Sequence, residues 1–194
     1  MKTKNELVCI SDTSMANIDE LPYLFVSEFN DDSVRHFYKD FIKLHSDPKV
    51  DVIPIVVSSY GGQVHALLSM LDIIQSATKP VATISLGKAM SCGAILLAAG
   101  TKGYRYAAPN TDIMIHEVAS MEMGKNTDIQ NGSKQTKRLN TLLFKYLGDF
   151  SNKNKRYFLS ELKKRGNIDW HLSANDFKDL GLVDHVCVPQ LIKN

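Results

Sequence analysis

An α/β domain with a mostly parallel sheet is what this sequence predicts, and two observations carry the prediction. Short apolar runs of strand length alternate with stretches that place apolar residues at helical spacing. Turn residues (Asp47-Pro48, Gly61-Gly62, Lys79-Pro80) punctuate the boundaries. In order, Tyr23–Ser27 after Pro22 reads as a strand. Asp31, Asp32 or Ser33 can cap a helix with Val34, Phe37, Tyr38, Phe41 and Ile42 on one stripe, ended by Asp47-Pro48. Val52–Ser58 reads as a buried strand in which Pro54 suggests an edge or a bulge, because proline cannot donate to a ladder. Gly61-Gly62 makes a turn, and Val64, Leu67, Leu68, Leu71 and Ile74 give a helix stopped at Lys79-Pro80. Val81–Leu86 is a strand, Gly87–Gly93 a turn and Ala94–Ala99 the start of a buried helix. Asp112–Ile115 is a short strand. The segment Glu117–Gln130 is polar and suits an extended arm between a strand half and a helical half. A second helix pair follows, with Leu139, Leu142, Leu143, Tyr146 and Leu147 as its clearest stripe, and Val183–Val188 closes the chain as a strand.

Composition narrows the function classes. A length of 194 residues favours a single domain spanning 1–194, and 44% hydrophobic with 23% charged residues excludes disorder and collagen-like repeats. No apolar stretch approaches the roughly 18 residues needed to span a membrane. Met1–Glu6 is polar, without an apolar signal core behind it. Cys9, Cys92 and Cys187 are odd in number and lack CxxC spacing, which argues against structural zinc or a disulfide framework. They point to a reducing compartment, hence a cytoplasmic location. The net charge of +2 hides an asymmetry: residues 125–165 hold eleven basic and three acidic side chains, so that segment is +8 and the remainder −6. This reads as a solvated helical surface or a contact between subunits; neither an aromatic-lined groove nor a nucleic-acid fold accompanies it.

Two strand-to-helix junctions can carry chemistry. Ser58-Ser59-Tyr60-Gly61-Gly62 lets the backbone turn sharply and aims N–H groups near a helix N-terminus, although ordinary junctions use Gly-Gly too. In Gly87-Lys88-Ala89-Met90-Ser91-Cys92-Gly93, a serine sits at the corner between a strand and an apolar helix. There the following N–H can serve as an oxyanion donor, as in a nucleophile elbow. The pattern is not G-x-S-x-G, and an ordinary serine cap fits the spacing equally. Cys92 reads as packing rather than as a thiol nucleophile. A serine nucleophile needs a base with an orienting acid. His36, His45, His65, His116, His171 and His185 are the candidates; His116 ends a strand and His171 lies two residues from Asp169, and spacing alone does not choose.

Taken together, the blocks resemble the proteolytic subunit of the Clp proteases, ClpP, of the S14 serine peptidases. Ser59-Tyr60-Gly61-Gly62 is similar to that family's S-P-G-G turn, and Gly87–Ala94 to its G-Q-A-A-S-M-G-A block. Leu97–Gly103 is similar to L-A-A-G-x-K-G, and Pro109-Asn110 with Met114-Ile115-His116 to P-N-x-x-x-M-I-H. Thr127-Asp128-Ile129, Arg138-Leu139-Asn140, Asp169–Ala174 and Gly181-Leu182-Val183-Asp184 follow in the family's order, so the likeness runs from about Tyr23 to Val186. The resemblance implies Ser91 as nucleophile, His116 as base, Asp169 as orienting acid, and the N–H groups of Gly62 and Cys92 as oxyanion hole. It implies no cofactor and no metal. It implies a crotonase-like α/β fold of stacked β-β-α units with an extended handle at about 117–150. It also implies heptameric rings stacked as a tetradecamer, polypeptide substrates and an AAA+ unfoldase of the ClpX/ClpA kind. The basic segment would lie partly at the ring-to-ring contact.

Several positions depart from the family. Tyr60 replaces the turn proline, and Asn167-Ile168 precede Asp169 where the family commonly has an arginine linked to ring contact. The docking pocket for an ATPase loop keeps Tyr106 as its one aromatic, beside Pro54, Val56 and Ser76-Ala77, and the polar N-terminus lacks an apolar axial loop. Two other functions stay open: a ring subunit that scaffolds or modifies a partner ring without cutting, and a crotonase-type acyl-CoA enzyme. The latter would not need Ser91, His116 and Asp169 together.

Overall fold

The computed structural model describes residues 23–189. Five strands pair in parallel in the order β1 (Leu24–Val26), β2 (Ile53–Ser59), β3 (Val81–Met90), β4 (Arg105–Ala107) and β7 (His185–Val186). β3 serves two neighbours in turn: Thr83–Ser85 pair with β4, and Lys88–Met90 pair with β5 (Asp112–Ile115). Gly87, at φ 76°, lies between the two stretches. β6 (Trp170–Leu172) then adds to β5 antiparallel. Around the sheet stand α1 (Asp31–Ser46), α2 (Val64–Gln75), α3 (Cys92–Ala98), α4 (Asn126–Phe150), α5 (Tyr157–Lys164) and α6 (Ala174–Asp179). The result is a mixed α/β fold with a mainly parallel sheet, as the alternation of runs predicts.

The main core joins Phe29, Phe37, Phe41, Leu67, Met70, Leu97, Phe144, Phe158 and Phe177, all buried. Alternation along β3 sends Ala82 and Ile84 to a second, small cluster with Tyr106. Tyr106 is buried there, its ring stacked on His185 at 4.8 Å.

Several expectations are corrected. The cap of α1 is Asn30, whose side chain accepts from Ser33 N–H while Ser33 Oγ accepts from Asn30 N–H, a capping box one residue upstream of the three candidates. The inward face of α1 is Phe37, Phe41 and Leu44, leaving Tyr38 and Ile42 exposed. Pro54 lies in an internal strand, not an edge. Ile53 donates to Pro80 on the β3 side, so alternation turns the Pro54 imino group toward β1, whose pairing begins only at Leu24 opposite Ile55. The irregularity of β2 falls instead between Val57 and Ser59. Gly87–Met90 is strand, not turn, and the final strand shrinks to two residues. β4, β6 and α6 were not anticipated. The polar arm ends early, because Asn126–Gln130 are the first residues of the 25-residue α4. Among the described residues Cys92 is a free, buried thiol. Met1–Glu6 and Cys9 fall outside the described residues. Among the described residues no helix is long and apolar enough to cross a membrane.

One buried ion pair ties the far ends together. Arg105 Nη2 and Nε donate to the two carboxylate oxygens of Asp184 at 2.7 and 2.9 Å, and the N–H groups of Gly103 and Arg105 add to the same carboxylate. Arg105 Nη1 donates to Phe150 O at 2.8 Å, at the end of α4. Burial pushes the Asp184 carboxyl up, but the guanidinium and the two N–H donors outweigh it and hold it below its ordinary value. Asp184→Asn leaves Arg105 buried without its counter-charge and is expected to cost about 3–5 kcal/mol in urea denaturation. Because the folded carboxyl is depressed, its contribution is full above the unfolded value near ~3.9 and is lost as pH falls from there through the folded value. The variant should lack that part of the acid dependence. Equal stability of parent and variant at neutral pH would contradict this role.

Candidate active site

A single residue, Ser91, turns the chain from β3 into α3. Its φ of 55° and ψ of −118° are rare for a residue with a Cβ, the kind of backbone strain that persists where the surroundings fix it. Ser91 N–H donates to Met114 O on β5 at 2.8 Å, and Ser91 O accepts from Ala94 and Ile95 of α3. The Gly61-Gly62 turn packs directly on this corner. A Cβ on Gly61 would stand 2.7 Å from Ser91 Cβ, and one on Gly62 2.6 Å from Phe29 O. Gly61 N–H donates to the buried Ser59 Oγ at 3.0 Å, and Gln63 N–H to Phe29 O at 2.8 Å, so the turn is anchored on both sides. The backbone of Gly62 and the first residue of α3, Cys92, both lie against the Cys92 thiol at this corner. The Cys92 thiol donates to Gly62 O at 3.5 Å, and burial pushes that thiol above its ordinary value, which suits packing rather than attack.

Strand register brings the other two groups in. β3 pairs Met90 with Met114, so Ser91 and the end of β5 lie side by side. β5 pairs Ile115 with Trp170, and one further antiparallel step sets His116 opposite Asp169. His116 Nε2 stands 2.8 Å from Ser91 Oγ, and His116 Nδ1 3.7 Å from Asp169 Oδ1. The latter is an ion-pair distance rather than a hydrogen bond, and the Asp169 side chain is 58% exposed. His171, the rival by sequence, turns to Asp112 at 3.6 Å instead.

A cleft of about 210 Å³ opens at Ser91. Val64, Ile95, Leu143, Phe144 and Leu147 give it an apolar floor, and Glu117, Val118 and Ala119 form one wall. That wall is held to α4: Val118 N–H donates to Asn140 Oδ1, and Asn140 Nδ2 donates to Glu117 Oε1, both at 3.1 Å. Farther along, Ser120 and Thr136 hydroxyls meet at 2.8 Å. Tyr60 stands at the rim, 72% exposed, with Lys88 Nζ 4.3 Å from its ring centre. Among the described residues no three His, Cys, Asp or Glu side chains are grouped to hold a metal ion.

Comparison with known proteins bears on this geometry. Residues 11–190 match the family model described as Clp protease. The chain belongs to the Clp protease family. It is 35% identical over 161 residues to "ATP-dependent Clp protease proteolytic subunit 3" of Parasynechococcus marenigrum (strain WH8102), covering 82% of this chain and 78% of the relative. The match to the protein of the same name from Synechococcus sp. (strain CC9605) has the same identity and coverage. In this Clp protease family member the structure gathers Ser91, His116, Asp169, Gly62 and Cys92 at one corner of the sheet. Sequence reasoning missed Glu117 and Asn140 as partners in the cleft wall. Their only signal is the run of polar residues at Asp128, Thr136 and Asn140, whose spacing follows the helical turn.

The close approach at the corner can be tested. Gly61→Ala adds a methyl into Ser91 at a φ of 108° and is expected to lower stability by about 1–3 kcal/mol. A variant melting with the parent would contradict the approach.

Proposed function

We propose that this chain is a serine endopeptidase working through an acyl-enzyme, with Ser91 as nucleophile, His116 as general base and Asp169 as the orienting acid. The observation that carries the reading is the 2.8 Å contact between Ser91 Oγ and His116 Nε2. With the Nδ1 proton turned toward Asp169, Nε2 accepts the Ser91 proton as Oγ attacks the scissile carbonyl. The Gly62 and Cys92 N–H groups receive the oxyanion; loss of one such donor typically costs ~2.7–4 kcal/mol. His116 gives its proton to the leaving amine, and water repeats the sequence on the ester. The apolar floor favours an apolar side chain next to the cleaved bond.

In the same reading the chain forms heptameric rings stacked as a tetradecamer, with residues 117–150 as the handle between rings. The relatives carry the words "ATP-dependent" in their names. This supports an ATP-driven unfoldase as partner, and with it a cytoplasmic, ATP-containing location.

A fluorophosphonate probe tests the chemistry. It should label Ser91, and Ser91→Ala should abolish both labelling and hydrolysis of a small fluorogenic peptide. Asp169→Asn should lower kcat by on the order of 10⁴, because an amide can hold the wrong histidine tautomer. His171→Ala should retain activity, being paired with Asp112. Activity lost in His171→Ala but kept in His116→Ala would refute the assignment. An unlabelled Ser91 with intact rings would favour the non-cutting subunit.

Sedimentation tests the assembly. Because Asn167-Ile168 precede Asp169 where the family commonly has an arginine, the double ring is expected to be weakly held, its charge-mediated contacts weakening as the Debye length falls from ~10 Å at 0.1 M salt to ~3 Å at 1 M. A monomer at every salt concentration would rule out the ring, and a salt-indifferent double ring would rule out charge-held contacts.

A further inference from the structure

We propose that Glu117 is a specificity-determining residue that selects a cationic side chain, lysine or arginine, in the peptide beside the residue seated on the apolar floor. This rests on the reading of the cleft as a peptide site. Among the described residues, and apart from His116 and the Tyr60 phenol, Glu117 is the only titratable side chain lining the cleft. It follows His116 directly and is half-buried. Its position is fixed, because Asn140 donates to Oε1 while its own amide oxygen is occupied by Val118 N–H, both at 3.1 Å. One neutral amide satisfies one of about four acceptor sites on a carboxylate.

The neighbouring charges are already engaged. Asp169 faces His116 at 3.7 Å, Asp112 faces His171 at 3.6 Å, and Lys88 lies over the Tyr60 ring. Among the described residues no cation pairs with Glu117. A half-buried carboxylate in an apolar cleft with unused acceptor capacity favours an ammonium or guanidinium and repels an acidic side chain, so it discriminates in both directions.

The test is binding to the Ser91→Ala chain, which reads the cleft without hydrolysis. Fluorescent peptides with a leucine anchor carry Lys, Gln or Glu on one side of it, or on the other in a second series. Fluorescence anisotropy should rank one series Lys, Gln, Glu in falling affinity, with a Lys-to-Glu ratio of about tenfold or more at 0.1 M salt. In Ser91→Ala/Glu117→Gln the ratio should collapse toward one; glutamine keeps the oxygen that Asn140 bonds, so the wall is retained. The ratio in the Ser91→Ala chain should also shrink at 1 M salt, a readout that does not depend on the second variant folding. Equal affinities, a ratio that survives Glu117→Gln, or a ratio indifferent to salt would each overturn the proposal. Absence of binding by any peptide overturns it together with the peptide-site reading. If the binding preference is present but the unaltered chain hydrolyses nothing, the peptidase reading fails and this one stands.

Discussion

Everything at the candidate site depends on the short ladder between the end of β3 and β5. Without it, the end of β3 would keep only its β2 neighbour, through Ala89 opposite Ser59. With it, Met90 is fixed beside Met114, and the next N–H, that of Ser91, is committed to Met114 O. That bond sets the corner at an uncommon φ, and the packed Gly61 backbone leaves Ser91 no room to relax. β5 leads directly into His116, so serine and histidine follow on the ends of adjacent strands of one sheet. This explains how groups 25 residues apart reach 2.8 Å.

The cleft is coupled to the rest of the fold through α4. Past His116 the chain leaves the sheet and runs back along that helix. Contacts fall at Asn140, Thr136, Gly132 and Asp128, four residues apart, because an extended chain advances two residues in about the length of one helical turn. At Gly132 the arm comes close enough that a Cβ would meet the end of the exposed Glu122 side chain, which can move aside. The following turns of α4 supply Leu143, Phe144 and Leu147 to the cleft floor, and its last carbonyl, Phe150 O, receives Arg105. The Arg105–Asp184 pair therefore fixes the far end of the helix whose near half holds the cleft wall.

Much of this was legible in the sequence, for physical reasons that differ by element. The long apolar runs and their Gly and Pro boundaries revealed β1 to β3 and α1 to α3. β4, β6 and α6, of three to six residues, escaped, because none of them stands out as an apolar run. The Gly87–Met90 stretch looked like a turn because glycine and lysine are poor strand formers; here pairing with β5 overrides propensity. Tyr38 and Ile42 matched the stripe of α1 but point outward, since the sheet needs only Phe37, Phe41 and Leu44. The residues themselves left the base open among six histidines. Choosing His116 required either the family resemblance or the antiparallel register of β6, and β6 was the strand that could not be read.

The members of the site are not held equally. Ser91 and His116 each follow directly on a strand end and meet at 2.8 Å, with the Ser91 N–H tied to Met114 O, whereas Asp169 precedes β6 after a turn with Gly166 at φ 76° and Asn167 at φ 58°. That turn is stabilised from α5, through Asn167 N–H to Leu162 O and Gly166 N–H to Lys163 O. Trp170 then anchors the strand start beneath Arg165, whose guanidinium lies 4.4 Å from the ring centre. The acid's position is therefore set by a helix end and one stacked tryptophan, with its carboxylate open to water. On the arm, Met121 and Met123 are almost fully exposed, at 91% and 89%. On the ring reading, both features belong to the surface that a second copy would cover. Covering it would remove water from around Asp169 and strengthen its attraction for the imidazolium formed during attack. Assembly would then act on the acid before it could act on serine or histidine, because the acid is the member whose geometry the sheet leaves free.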